Sequence, residues 1–392
     1  MTGDSINFDK ERVIFHVDLD AFYVEVERQN DPNLRGKAVV IGGTGPRGVV
    51  ATASYEARKF GVHSAMATAV ARRLCPDAIY MRGNHELYRD VSKKFMNILR
   101  EYSPNVVPVS VDEAYLDMTG SERLYGEPID AADRIRKAVR DALGLPASIG
   151  IGPNKLVAKV GSEHAKPDGV FQVRQQEAEA FFAPQPVRNL PGIGPKAGEA
   201  LSKLRITTLG ELAAAQIGPL RRALGPNNAA HVQRRARGID NAPLRERVKA
   251  KSISAETTFE KDVSSRSELE KSLKKLCERV GTRLRKSGQR ARGASIKLRY
   301  GDFTTITRQR TFQAPGDGDQ LIYDTAHALL VTAMRQRGDA IRLIGVGVSG
   351  LGEQAAQLSL LDQNPMADSD TSEALDTIRE RFGNESISRG SV

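Results

Sequence analysis

Two short stretches of this chain are apolar and β-branched and then turn acidic. RVIFHVDLDAF (12–22) stays apolar until it reaches Asp18 and Asp20, and SVDEAYLD (110–117) sets Asp112 and Glu113 at the turn of a strand pair spanning 105–119. Such runs read as buried strands. Strand alternation puts Asp18 and Asp20 on one face, and neighbouring strands could bring Asp18 beside the Asp112–Glu113 turn. Carboxylates gathered on a sheet repel one another unless a cation neutralises them. Mg2+ takes such oxygen donors and shares its sphere with substrate phosphates. A lone D-x-D is more often a solvated turn or a helix cap; two acidic strand ends in one chain favour a metal centre.

The rest of the N-terminal half supplies an α+β frame. KAVVIGG (37–43) and GVVATAS (48–54) read as strands, Tyr55 to Leu74 as helical, and HELYRDVSKKFMNILREY (85–102) as an amphipathic helix burying Leu87, Val91, Phe95, Ile98 and Leu99. A helix over 130–143, and a strand followed by a helix within 147–166, come next. That order predicts a mixed sheet with helices on one side. From about 175 the pattern is helical, with a Gly/Pro hinge at 189–201. Residues 245–251 read as a linker, 252–352 as a second α+β domain, and 353–392 as a flexible acidic tail whose 375–383 stretch could be a small amphipathic helix.

Charge is distributed unevenly over these segments. The 392 residues carry a net +10, yet 1–174 is close to neutral at +1, 245–312 holds +11, and 313–392 is −6. A concentration of +11 within 68 residues points to a polyanion, most commonly phosphate backbone. Two distant cysteines, Cys75 and Cys277, exclude a disulfide framework and a cysteine zinc site. No apolar run approaches the roughly 20 residues of a membrane span, and the polar N-terminus lacks a signal-peptide core. A cytoplasmic protein with no membrane partner is expected.

HVDLDAFYVEVE (16–27), VVATASYEARKFGV (49–62), SVDEAYLD (110–117) and HAKPDG (164–169) together closely resemble the Y-family translesion DNA polymerases, in particular the DNA polymerase IV branch. The motifs keep the family's order and spacing, and the resemblance extends from about residue 12 to 351. It implies a right-hand polymerase with a ferredoxin-like palm (1–21 and 85–174), small fingers (22–84), a helical thumb (175–244) and a separate α/β little finger (252–352). It implies template-directed, error-prone transfer of dNMP to a primer 3′-hydroxyl with release of pyrophosphate, without proofreading. The expected partners are primer-template DNA, dNTP and a sliding clamp. The expected state is a monomer, and the expected location the bacterial cytoplasm at the nucleoid.

By the same resemblance, Asp18, Asp112 and Glu113 are the catalytic metal carboxylates, with the Leu19 carbonyl as a further ligand. Two Mg2+ ions are implied, with Mn2+ able to substitute. Asp20 matches a second acidic position that usually lies outside the metal's own ligands. Tyr23 matches the steric gate that leaves no room for a ribose 2′-hydroxyl, and Phe22 either packs in the core or lies beneath the sugar. Tyr55, Arg58 and Lys166 are implied as triphosphate contacts, with Thr52 a weaker one. Val49 and Ala51 match small residues near the nascent base pair.

Other segments bear on the polymer partner. LPGIGPKAGEAL (190–201) resembles a helix-hairpin-helix, in which Gly192, Gly194 and Lys196 would approach a phosphate; a plain αα-turn is the other reading. Arg290, Arg292, Lys297, Arg299, Arg308 and Arg310 alternate along two expected strands, which predicts one basic sheet face for sequence-independent DNA contact. Gln357, Leu358, Leu360 and Leu361 in QLSLL resemble the bacterial clamp-binding pentapeptide, with Leu361 where Phe is favoured. Gly43 to Gly48 formally fits G-x-G-x-x-G, but the strand expected after it favours a hairpin turn over a dinucleotide site. Two rivals remain: a catalytically inactive DNA- and clamp-binding scaffold, and a nucleotidyl cyclase built on a similar palm. The intact carboxylates argue against the first, the hinge and basic domain against the second.

Overall fold

The computed structural model describes residues 11–245, 250–353, 366–383 and 386–387. The chain divides into two compact units, residues 1–44 with 48–246, and residues 45–47 with 247–392. The strands of the first unit are β1 (Ile14–Leu19), β2 (Val39–Gly42), β3 (Val50–Ala53), β4 (Ile79–Met81), β5 (Val106–Pro108), β6 (Glu113–Asp117), β7 (Ala147–Gly152) and β8 (Val170–Gln172).

Five of these strands form one sheet in the order β5-β6-β1-β7-β8. Apolar residues alternate along the central strands and point to one side: Phe15, Val17 and Leu19 of β1, Ala114 and Leu116 of β6, Ile149 and Ile151 of β7. They meet Phe95 and Leu99 of the helix His85–Tyr102 and Ile135 and Val139 of the helix Pro128–Leu143. All four helix residues are fully buried, so truncating Leu99 to alanine would cost about 2–5 kcal/mol. Asn84 caps the first helix by accepting the Leu87 N–H, and Gly144, at φ +64°, ends the second.

The opposite face differs from the expected one-sided cover. The helix Lys155–Ala165 packs on it against β7 and β1. Glycine permits this: a Cβ at Gly150 would stand 2.0 Å from the Ala158 carbonyl oxygen and 2.2 Å from the Ser162 nitrogen. That face carries the polar members of the strands, His16, Asp18, Glu113, Tyr115 and Ser148, by the same alternation that buries their neighbours.

A three-stranded sheet, β3-β2-β4, follows the helix Phe22–Asn30 in the chain, and β2 and β3 pair antiparallel through the GTGPRG turn. The stretch expected to be helical from Tyr55 to Leu74 is instead two short helices, Tyr55–Arg58 and Thr68–Leu74. Gly61, at φ +82°, lies in the break. Between 178 and 235 the elements are short helices joined by loops, and Leu201, Leu209, Leu212 and Leu220 form their core with Leu156 and Val160.

The second unit contains β9 (Ser252–Val263), β10 (Gln289–Tyr300), β11 (Thr305–Gly316), β12 (Ile341–Ser349) and the short β13 (Gly352–Glu353). The main sheet is antiparallel in the order β11-β10-β12-β9. The helices Arg266–Lys286 and Asp319–Gln336 cover one face, joining Leu269, Leu273, Leu284, Ile322 and Leu330 to Ile296, Leu298, Ile344 and Val346. The expected flexible tail departs from that description over Met366–Phe382, which is helical and contains most of the 375–383 stretch. Asp376 accepts hydrogen bonds from Thr282 at 2.7 Å and from Arg285 at 2.8 Å, and Arg379 donates to Glu278 at 2.7 Å. Acids that look merely solvating in the sequence are there the partners of a guanidinium only 5% exposed. Residues 357–361, the expected clamp motif, lie outside the described residues.

Candidate polymerase active site

The antiparallel register places Asp18 directly opposite Glu113 and opposite Ser148 on its other side. The Leu19 N–H donates to the Asp112 carbonyl at 3.0 Å, which fixes the acidic turn against the end of β1. The structure therefore brings Asp18, Leu19, Asp112 and Glu113 together at one end of the sheet. Asp18 is 4% exposed, and burial pushes its carboxyl up to about 8, with the Glu113 charge acting the same way and Lys166 opposing. Burial also raises Asp112. Glu113 goes the other way: the His16 ring at 3.6 Å and the Lys159 ammonium at 3.1 Å hold its carboxyl well below the usual range.

Two ammonium groups meet these acids. Lys166 Nζ is 3.1 Å from Asp18 Oδ2 and 3.0 Å from Glu163, and Lys159 Nζ is 3.1 Å from Glu113 Oε2. No group of three or more His, Cys, Asp or Glu side chains forms a ready metal cage among the described residues; Asp18 and Glu113 are instead engaged by the lysines. The donor set is nevertheless one a hard divalent cation takes: carboxylate oxygens at adjacent strand ends, with one acid raised by burial. The residues fit such an ion.

The aromatic positions form one stack. Tyr23 lies on Tyr88 with ring centroids 4.3 Å apart, meets the edge of His85 and touches Phe22. Phe22 is 2% exposed and belongs to the core side of its helix, whereas Tyr23 is only partly buried. Burial and the Asp112 charge push the Tyr23 hydroxyl up. The Tyr88 hydroxyl donates to Glu27 at 2.5 Å, holding the stack from behind.

Tyr55 and Arg58 share the short helix after β3, with the guanidinium over the ring at 4.8 Å and Arg58 Nε donating to the Ala53 carbonyl at 3.0 Å. Val49 and Ala51 are exposed, while Thr52 is 8% exposed within β3. In the helical segment Gly192 has φ +99°, a conformation only glycine adopts freely, Gly194 caps the helix Pro195–Lys203, and Lys196 is exposed beside Lys203 and Arg222 around a 350 Å³ depression.

The six basic residues expected on one sheet face of the second unit do not share it. Lys297 and Arg299 alternate with the buried Ile296, Leu298 and Tyr300, so they point away from the helices. Ala291 and Ala294 both enter the core although three positions apart, because the register slips at Gly293; Arg290 and Arg292, flanking Ala291, fall on the same helix-free side. Arg308 pairs opposite Ile296 and Arg310 opposite Ala294. Cross-strand partners share a face, so these two lie on the helix side, where Arg308 reaches Gln336 at 3.5 Å.

The sequence reading missed His16, Lys159 and Ser148 as parts of the site. Lys159 had a signal, since it precedes Lys166 by two helical turns. Ser148 had none, because its role depends on pairing with a strand more than a hundred residues away.

Residues 17–163 match the impB/mucB/samB family and 250–360 match the C-terminal domain of that family. A DNA polymerase IV of Dehalococcoides mccartyi is 43% identical over 380 residues, covering 97% of each chain. A DNA polymerase IV of Halorhodospira halophila is 43% identical over 342 residues, covering 87% of this chain and 95% of its own. A solved Y-family DNA polymerase chimera superposes with a TM-score of 0.78 at 25% identity, covering 87% of this chain and all of that one. With both family models matched in order and this identity over nearly the whole chain, the chain belongs to the Y-family DNA polymerases, in the DNA polymerase IV branch.

Proposed function

We propose that this chain, a translesion DNA-directed DNA polymerase by its family, carries out nucleotidyl transfer at the Asp18–Asp112–Glu113 cluster. The observation that carries this reading is the register pair Asp18–Glu113, each acid already against an ammonium group. Asp18, Asp112, Glu113 and the Leu19 carbonyl would hold two Mg2+ ions, with Mn2+ a substitute. Bound ions supply activation of the primer 3′-hydroxyl and neutralisation of triphosphate charge. Lys166, Arg58 and Tyr55 hold the triphosphate, with the cations compensating charge that grows on the leaving pyrophosphate. The Tyr23 ring, stiffened by its stack on Tyr88, closes the space a 2′-hydroxyl would need. Val49 and Ala51 leave the nascent pair uncrowded, and Phe22 supports the gate from the core.

The five-stranded sheet is assigned as palm, β2–β4 as fingers, residues 175–244 as thumb and 252–352 as little finger. Gly192, Gly194 and Lys196, with Arg290, Arg292, Lys297 and Arg299, track DNA phosphates. Gln357, Leu358, Leu360 and Leu361 dock on a sliding clamp, and the protein acts as a monomer at the bacterial nucleoid. Primer extension tests the assignment: wild type extends with dNTPs and Asp112→Ala does not, whereas no extension by wild type would leave a DNA-binding scaffold. Tyr23→Ala is expected to admit ribonucleotides; unchanged discrimination would remove its gate role.

A further inference from the structure

Asp20 lies at the end of β1, two residues beyond Asp18, and is 1% exposed. Its oxygens take partners outside the acidic turn. They accept from Ser148 Oγ at 3.0 and 2.8 Å, from the Asp168 N–H at 2.7 Å and from the Tyr55 hydroxyl at 3.4 Å. No Lys or Arg is among these hydrogen-bonding partners. One buried carboxylate thus ties together β7, the loop that follows the helix Lys155–Ala165, and the short helix of Tyr55 and Arg58.

That loop carries Lys166. Asp168 is anchored on its other side as well, since its carboxylate takes Arg136 at 3.0 Å and also Arg140. With Asp20 holding the Asp168 amide from within and the two arginines holding its side chain from without, the backbone two residues after Lys166 is fixed relative to β1. Burial, together with the Asp20 charge, pushes the Tyr55 hydroxyl up to about 12, so it keeps its proton and stays a donor to Asp20. Groups held by hydrogen bonds in their working geometry need no reordering when a ligand arrives.

We propose that Asp20 is a positioning residue for the incoming nucleotide, holding Lys166 and Tyr55 at the spacing that receives the triphosphate. The inference rests on the assignment of Lys166 and Tyr55 to the triphosphate, and it gives Asp20 a part in binding distinct from the metal carboxylates two residues away.

The test compares dNTP KM and kcat in primer extension for wild type, Asp20→Asn, Lys166→Ala and the double variant, with thermal melting and DNA affinity measured on each. Asn keeps the volume but cannot accept all of these donors at once. Asp20→Asn is expected to raise KM about tenfold, with a smaller fall in kcat and unchanged DNA affinity. In the Lys166→Ala background the same change is expected to raise KM by clearly less than tenfold, because the part exerted through Lys166 is already lost and only that through Tyr55 remains. Ser148→Ala, which removes only one donor, shifts KM the same way by less and covers the case of a poorly folding Asp20→Asn. An unchanged KM in both Asp20→Asn and Ser148→Ala, or full additivity with Lys166→Ala, overturns the proposal. If Lys166→Ala alone leaves KM at the wild-type value, the triphosphate assignment itself fails.

Discussion

The five-stranded sheet of the first unit and the four-stranded main sheet of the second are built alike and use charge in opposite ways. Each buries an apolar face under two helices. In the first, the other face receives a third helix, and its acids are enclosed and matched to lysines at 3.1 Å. In the second, the helices all lie on one side, and Lys297 and Arg299 stand on the other with Gly345 and Gly347 of β12 between β10 and β9. Enclosed charge raises or lowers a group's proton affinity and suits chemistry. Cations spread over a smooth, side-chain-poor face suit a polymer read by its phosphates. The near-neutral first 174 residues and the +11 of 245–312 are the sequence trace of that division.

The comparison breaks if either region does the other's work. The largest expected effect is on chemistry: Glu113→Ala should lower dNMP incorporation by about 10³-fold while leaving the salt dependence of DNA binding unchanged in a filter or fluorescence titration. Next, replacing Arg290, Arg292, Lys297 and Arg299 by alanine should flatten the slope of log affinity against log salt by up to about 3.6. The Arg308 and Arg310 pair should matter much less, since they lie on the helix side. Equal losses from the two sets would contradict the register argument. The smallest effect concerns the terminal helix: Asp376→Ala leaves Arg285 with the Asp319 carboxylate and the Asp317 carbonyl, each at 2.8 Å, and should cost about 2 kcal/mol of second-unit stability in denaturant unfolding, with incorporation unchanged.

Much of this arrangement was legible in the residues. The helix 85–102 spans the range that its apolar periodicity predicts. The acidic strand ends meet because β1 and β6 pair in the register that alternation allows. What was not legible depends on partners distant in the chain. A single slip between Ala291 and Gly293 decides on which face Arg290 and Arg292 fall, and no local pattern announces it. The third helix on the first sheet depends on the absence of a Cβ at Gly150, which reads in the sequence as one more small residue. The terminal helix is polar, and its docking rests on Arg285, 91 residues before Asp376. Asp20 looked like a spare acid until Ser148 and the Asp168 amide were seen to close on it.

The central claim is that enclosed carboxylates at the end of the first sheet hold the ions that drive transfer. Single-turnover incorporation of one dNTP, titrated with Mg2+ for wild type and Asp112→Asn at saturating primer-template, tests it most directly. The account predicts a steep metal dependence in wild type and a rate lower by about 10³-fold in the variant at every metal concentration, with DNA affinity intact. A variant that reaches the wild-type rate at the same metal concentrations would contradict it.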